Sequence, residues 1–364
     1  MRVGILGTGF GATVHLPALQ SLPGVEVTAL WGRDQARTQA IAQAAGVPHS
    51  FGGEEWAALF PWVDVVAVTT PPFLHFPQTR AALAAGKPVL LEKPLTLNLP
   101  EAQQLQALAI AHQCPVAVNF EFRWVPAWRY FRALLTSGML GPLRYLTVDW
   151  LVQGRADGKR PWNWYAQKDL GGGILGAVGS HAFDYLHWLV GPATAVLGDL
   201  RTVIPYRPDG NGQLQPVDSD DVANVLLQGP GPLSTSLRLS AATWRGRGHW
   251  LTVYGEQGTL MVGSPNLQDY VRGFTVQHAR PGEEFRMMPI PNTYELPDGF
   301  ADGRIAPVRA LWQHFLGAIA AGTPMVPGLA EGLYSQQIMD AVHLSHQQRS
   351  WVNLASADVS AAPR

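Results

Sequence analysis

Lys93, His181 and Asp184 are the residues of this chain best suited to moving protons. Lys93 closes an apolar run, "KPVLLEKP" (87–94), and Pro94 then forces the chain out of regular pairing. The carboxyl end of a parallel strand is the edge where such sheets bind ligands. A lysine there can hydrogen-bond a substrate hydroxyl or carbonyl and favour the negative charge that develops on its oxygen. The same residue type also serves as a surface cation paired with a carboxylate. His181 lies within "GGGILGAVGSHAFDYLHWL" (171–189) and, unperturbed, titrates near neutrality, as acid–base work requires. Helical spacing over 174–189 predicts one stripe of Ala177, His181, Asp184 and Trp188. Asp184 then either orients His181 from the next turn or caps a neighbouring backbone group. A histidine on an apolar helix is also a common hydrogen-bonded core residue. The glycines ahead of the helix are expected to let its start approach substrate closely.

A second set of residues points to a cofactor. Gly7-Thr8-Gly9-Phe10-Gly11-Ala12 follows a strand-like run and opens a helix. Gly7 permits a tight turn, Gly9 has no side chain to block a pyrophosphate, and Ala12 is small enough for helix–strand packing. Backbone N–H groups at the helix start attract the diphosphate. An ordinary βα turn would share the pattern, but the series of βα elements that follows favours dinucleotide binding. The second run ends in Trp31-Gly32-Arg33-Asp34, with no acid at Gly32 to meet a ribose 2′-OH. Arg33 either pairs with a 2′-phosphate, which favours NADP over NAD, or stacks on adenine, with Asp34 as a helix N-cap.

Thr70, Pro71 and His75 follow the third run and are placed for the ribose–nicotinamide half; Thr70 is equally a loop cap. Asn119 ends the fifth run in a similar position. Glu92 points to the opposite side of its strand from Lys93 and either orients cofactor or braces the loop. Arg123 either binds an anionic substrate group or closes an interdomain ion pair. Trp162, with Lys159, Arg160, Trp164 and Tyr165, either forms a substrate wall suited to sugar C–H faces or pins a loop to the core. With 13 tryptophans in the chain, aromatic pairing alone decides little. No cluster of ligands suggests a metal.

The elements that must position these groups divide into two textures. Apolar runs at 2–9, 25–33, 63–72, 87–94 and 114–122 alternate with helical patterns at 33–46, 76–86 and 99–113. That alternation predicts a parallel sheet covered by helices. After a helical stretch at 127–138 come longer alternating runs at 143–152, 222–229, 233–244 and 249–263, as in antiparallel strands with one face covered. A polar, turn-rich connection occupies 206–221. Helical patterns at 307–322 and 329–347 close the chain before a small polar tail, expected to be mobile.

The 364 residues, 47% hydrophobic and 15% charged, suit a globular chain of two domains. A formal net charge of −1 without long basic runs argues against nucleic-acid and electrostatic membrane binding. Cys114 is the one cysteine, so a reducing compartment is expected, and no signal-peptide pattern opens the chain. The apolar 171–189 stretch carries Ser180, His181, Asp184 and His187, which argues against a membrane span.

Thr70-Pro71-Pro72 and "HFPQTRAALAAGKPVLLEKPL" (75–95) resemble the Gfo/Idh/MocA family of oxidoreductases, typified by glucose–fructose oxidoreductase and inositol dehydrogenase. So do the glycine loop with "HLPAL", the Glu92-Lys93-Pro94 triplet, "NFEFRWVP" (119–126), "GGGxLxxxGSHxxD" (171–184), "YGEQGTL" (254–260) and "SHQQRSW" (345–351). The resemblance spans nearly the whole chain in order. It implies an α/β architecture: a Rossmann domain over 1–122, then an α/β domain over 123–364 with an open, mostly antiparallel sheet that often mediates oligomer contacts. It implies an active site between the domains, with Lys93 beside nicotinamide and substrate. The family's lysine typically works in a proton relay with an aspartate, where this chain has Ala177, and a histidine, here His181. The expectation is a cytoplasmic NAD(P)-dependent oxidoreductase acting on a sugar, cyclitol or related hydroxy/keto compound, as a homodimer or homotetramer. Two other readings accompany it: a nicotinamide-binding sensor or scaffold with impaired catalysis, and a redox-assisted glycosidase with tightly held cofactor.

Overall fold

The computed structural model describes residues 1–364 except 230, 266, 268, 270, 298 and 355–364, so the tail expected to be mobile lies outside the described residues. The chain divides into two compact units: Met1–Glu121 with Pro297–Leu333, and Phe122–Leu296 with Tyr334–Arg364. A division into two consecutive stretches, 1–122 and 123–364, does not contain the return of Pro297–Leu333 to the first unit.

The first unit is built on β1 (Arg2–Leu6), β2 (Glu26–Gly32), β3 (His49–Gly52), β4 (Val65–Val68), β5 (Val89–Leu91) and β6 (Val116–Val118). These pair in parallel in the order β3-β2-β1-β4-β5-β6. Val3, Ile5, Val66, Val68, Leu90 and Leu91 are fully enclosed, as strands covered on both faces require. β3 was not anticipated: "HSFG" is short, half-buried and lacks an apolar run. The helices are α1 (Leu16–Gln20), α2 (Gln35–Ala45), α3 (His75–Ala84) and α4 (Leu99–Ala111). Asp34 caps α2 by accepting from the Arg37 N–H at 3.0 Å, and Gly46 ends it in the left-handed region (φ 69°). Asn98 caps α4 in the same way.

The second unit opens with α5 (Pro126–Thr136), β7 (Leu143–Leu151), α6 (Ser180–Val190) and β8 (Ala195–Arg201). The polar connection at 206–221 contains a small hairpin, β9 (Tyr206–Pro208) and β10 (Leu214–Pro216). There follow β11 (Val222–Gln228), β12 (Ser234–Ser240), β13 (Gly248–Gly255), β14 (Gly258–Ser264), β15 (Thr275–Ala279) and β16 (Arg286–Met288). The helices α7 (Ile305–Ala321) and α8 (Leu329–Gln348) come next, and β17 (Val352–Asn353) completes a nine-stranded sheet, β16-β15-β14-β13-β7-β12-β11-β8-β17. Its pairs are antiparallel except β7 with β12. Trp128, Phe131, Phe183, Tyr185 and Phe274 anchor this unit's core. Among the described residues no helix is long and apolar enough to cross a membrane.

Candidate active site

The turn after β1 shows why glycine is needed there. Gly7 has φ 116°, and a Cβ on it would come within 2.7 Å of the Thr69 carbonyl oxygen. A Cβ on Gly11 would overlap Thr69 Oγ1 and Ile5. A Cβ on Gly9 would meet nothing within 4 Å. The close helix–strand approach therefore falls at Gly11; Ala12, expected in that role, is half-buried one residue on. The chain turns into α1 through a π-helical segment, Gly11–His15. The open space at Gly9, beside half-buried Thr8 and Phe10 at a helix start, fits a dinucleotide's diphosphate. Phe10 packs edge-on to His15 (5.5 Å) and under the Arg304 guanidinium (5.1 Å). At the end of β2, Gly32 is enclosed by Thr38 and Thr8, while Arg33 is exposed and makes no ion pair with the described residues.

The ends of β5 and β6 hold a buried polar chain. The Trp312 indole N–H donates to His15 Nδ1 at 3.0 Å. An indole can only donate, so Nδ1 accepts and the ring carries its proton on Nε2. Nε2–H then donates to Glu92 Oε1 at 2.8 Å, and Asn119 Nδ2 donates to the same oxygen at 2.5 Å. Burial alone would raise the Glu92 pKa; the His15 hydrogen bond, the Lys93 charge and the Asn119 bond outweigh it and hold the carboxyl below its ordinary value. Glu92 is thus an ionised brace directly behind half-buried Lys93.

His75 and Asn119, expected to line the cofactor, are 1% and 0% exposed. His75 is wedged between two carbonyls, Nδ1 against Pro94 at 2.7 Å and Nε2 against Thr70 at 2.8 Å. Burial drives its pKa below the ordinary value, against the pull of the Pro94 and Thr70 carbonyls. The Thr70 hydroxyl donates to Gln78 Oε1 at 2.7 Å, so it caps no helix, and neighbouring Pro71 is half-buried. These side chains tie the loop after β4 to the loop after β5.

Glu121, which the sequence reading passed over, belongs to this cluster. It is 4% exposed and opens a 3₁₀ turn (Glu121–Trp124) after β6. Burial pushes its pKa up to about 8; the Lys93 charge lowers it, the Glu92 charge raises it, and Arg304 lowers it. The available signal was positional: a glutamate between Phe120 and Phe122, two residues beyond Asn119, must end near the same sheet edge as Lys93.

In the second unit the glycine run has a different purpose from the one expected. Gly171 adopts φ 77° to end a short 3₁₀ turn, and a Cβ on Gly172 would overlap the Tyr165 carbonyl. At Gly173 (φ 109°) it would overlap the Asp220 carboxylate. The close approach is to the protein's own loops. Asp220 Oδ2 accepts from Leu175 N–H at 2.8 Å, and burial raises this carboxyl's pKa to about 6. The helix begins as a π segment, Leu175–Gly179, before α6. Ala177 and His181 are therefore not joined by a continuous α register, since the π turn needs more than four residues.

His181 is 4% exposed, edge-on to Phe122 (5.0 Å) and stacked on Trp150 (6.2 Å). Asp184 accepts from Arg123 through both oxygens, Nε at 3.0 Å and Nη2 at 2.7 Å. Arg123 and Asp184 thus form a buried bidentate pair inside one unit, not an interdomain pair. Trp162 is pinned by its indole N–H to the Pro216 carbonyl at 2.9 Å, and Arg155 lies over the Tyr165 ring at 3.2 Å. Exposed Lys159 and Arg160 bond within their own loop.

Residues 1–120 match the family model described as an oxidoreductase family with an NAD-binding Rossmann fold, and residues 128–261 match the GFO/IDH/MocA C-terminal domain. This chain belongs to the Gfo/Idh/MocA oxidoreductase family. An uncharacterized oxidoreductase of Synechocystis sp. is 42% identical, over 98% of this chain and 97% of its own. Levoglucosan dehydrogenase of Pseudarthrobacter phenanthrenivorans is 28% identical over 97% and 98%. A solved levoglucosan dehydrogenase in complex with NADH and L-sorbose superposes with a TM-score of 0.87 at 25% identity, covering 98% of this chain and 99% of that one. The match fits the observed architecture: a parallel NAD-binding sheet followed by a mostly antiparallel one.

Proposed function

We propose that this oxidoreductase transfers a hydride between a nicotinamide dinucleotide and the hydroxyl- or carbonyl-bearing carbon of a sugar, cyclitol or related compound. Lys93 polarises the substrate oxygen, and His181 supplies or removes a proton directly or through water. The bound cofactor supplies the hydride acceptor or donor. Gly7, Gly9 and Gly11 shape its diphosphate loop, and Thr8 and Phe10 flank it. The observation that carries the reading is the buried Trp312–His15–Glu92–Asn119 chain, which sets an ionised carboxylate behind a lysine at the carboxyl edge of a dinucleotide-type sheet. The likeness to levoglucosan dehydrogenase over nearly the whole chain supports a carbohydrate substrate.

The finer readings rest on local features. Arg33, exposed and without a carboxylate partner among the described residues, supports a preference for NADP. Tyr145 and Tyr254, paired across β7 and β13 and both about two-fifths exposed, support a homodimer or homotetramer formed through the second sheet. The single, buried Cys114 supports a cytoplasmic place.

One assay tests the core. Purified protein is offered NADPH or NADH with a panel of sugars, cyclitols and their keto forms, levoglucosan and L-sorbose included, beside Lys93→Met. NADPH should be used at lower KM than NADH, and Lys93→Met should lose at least about a hundredfold in kcat while keeping cofactor affinity. Near-normal turnover by Lys93→Met would sink the mechanism. Glycoside cleavage without net change in cofactor absorbance would favour the redox-assisted glycosidase.

A further inference from the structure

We propose that Glu121 is a positioning residue for proton transfer at Lys93, the side chain that receives and returns the proton Lys93 exchanges with the substrate oxygen. The inference rests on the reading of Lys93 given above. β5 and β6 are adjacent and in register, Leu91 opposite Val118, and the Asn119 N–H donates to the Leu91 carbonyl at 2.8 Å. The residues just beyond these strands are Glu92 and Lys93 on one side, and Asn119 and Glu121 on the other.

The two carboxyls are not equivalent. Glu92 is committed: two side-chain donors fix one oxygen, and it stays ionised. It already holds the negative charge beside Lys93 and repels a second one on Glu121. Among the charged groups acting on Glu121 are Lys93 and Glu92 from the end of β5 and Arg304 from the start of α7. Arg304 is itself paired with Asp302 at 2.6 Å. Burial, the largest cause, keeps Glu121 a neutral acid at neutral pH, and it ionises as pH passes about 8.

In the oxidative direction, once Glu121 has ionised as pH passes about 8, the Lys93 ammonium hands one proton to the Glu121 carboxylate as its nitrogen takes the substrate hydroxyl proton, so Lys93 ends with the charge it began with. With a nicotinamide cofactor bound, the substrate C–H electron pair would leave to it as hydride, and the Glu121 acid then releases its proton to solvent. Reduction runs the same steps backwards. Substrate and cofactor exchange two electrons, and one proton enters or leaves.

The test uses the full chain and two readouts. Infrared difference titration of wild type against Glu121→Gln should show a protonated-carboxyl band that disappears as pH passes about 8 and is missing in the variant. In Lys93→Met, which removes the neighbouring cation, the band should persist to higher pH. In steady-state assays, Glu121→Gln should lose roughly tenfold in kcat with KM for cofactor unchanged, and its pH profile should lose the limb near pH 8. A band absent from wild type, a band indifferent to Lys93→Met, or an unchanged pH profile in Glu121→Gln overturns the proposal. If Lys93→Met is inactive while Glu121→Gln behaves as wild type, only the role of Glu121 falls. If Lys93→Met remains active, the reading of Lys93 falls as well.

Discussion

Two glycine-led turns in this chain look alike in sequence and differ in what they face. Each precedes a π-helical segment that leads into an α-helix, and each has a histidine nearby: Gly7–Gly11 before α1 with His15, and Gly171–Gly173 before α6 with His181. In the first, two glycines are forced by packing and the third, Gly9, looks onto open space. In the second, Gly172 and Gly173 are closed off by the Tyr165 carbonyl and the Asp220 carboxylate. A glycine run announces that something comes close to the backbone. Only the environment of an added Cβ tells whether that something is the protein or a ligand.

The comparison can be broken most forcefully at Gly173. Gly173→Ala places a methyl against Asp220 and demands φ 109° of an L-residue, so it should cost about 3 kcal/mol or more, read as a lower denaturant midpoint. A variant as stable as wild type would show that the second turn is not packed as described. Asp220→Asn probes the same turn more gently. The Asp220 pKa is raised from its unfolded value to about 6, so the folded protein retains a proton that the unfolded chain loses. The stability this confers is complete below about pH 4 and is lost as pH rises through 6. Asparagine imitates the neutral acid, so between pH 4 and pH 7 wild type should lose on the order of 1–3 kcal/mol relative to the variant. Parallel stability curves for the two proteins would contradict the raised pKa. The mildest change is Gly9→Ala. It should move stability by no more than about 0.5 kcal/mol, yet weaken NADPH binding roughly tenfold, about 1.4 kcal/mol by titration. Unchanged affinity would mean that the open space at Gly9 is not where the diphosphate lies.

What was legible in the sequence follows from how local each signal is. The parallel sheet, the Asp34 cap, the glycine stop of α2 and both closing helices are written in short-range patterns and stand where they were expected. β3 was missed because a half-buried edge strand of four residues needs no apolar run. Of the stripe of Ala177, His181, Asp184 and Trp188, the last three share α6, while the π segment separates Ala177 from that register. Asp184 found its partner in Arg123, 61 residues away in sequence, and no periodicity reports that pairing. His75 and Asn119 were placed at the correct strand ends; the direction of their side chains depends on Pro94, Thr70 and Glu92, three separate stretches of chain. Glu121 escaped notice because nothing in its own neighbourhood distinguishes a buried acid from an exposed one.

The return of Pro297–Leu333 to the first unit has a consequence for the order in which the protein is made. When the six strands of the parallel sheet have left the ribosome, His15 still lacks Trp312 and Phe10 still lacks Arg304. Both arrive only after the whole nine-stranded sheet except its last short strand has been synthesised. The amino-terminal third therefore waits, with its glycine loop unfinished, for a segment translated late, and a ribosome that stops early leaves a dinucleotide fold whose His15–Glu92 pair lacks the Trp312 bond that anchors it.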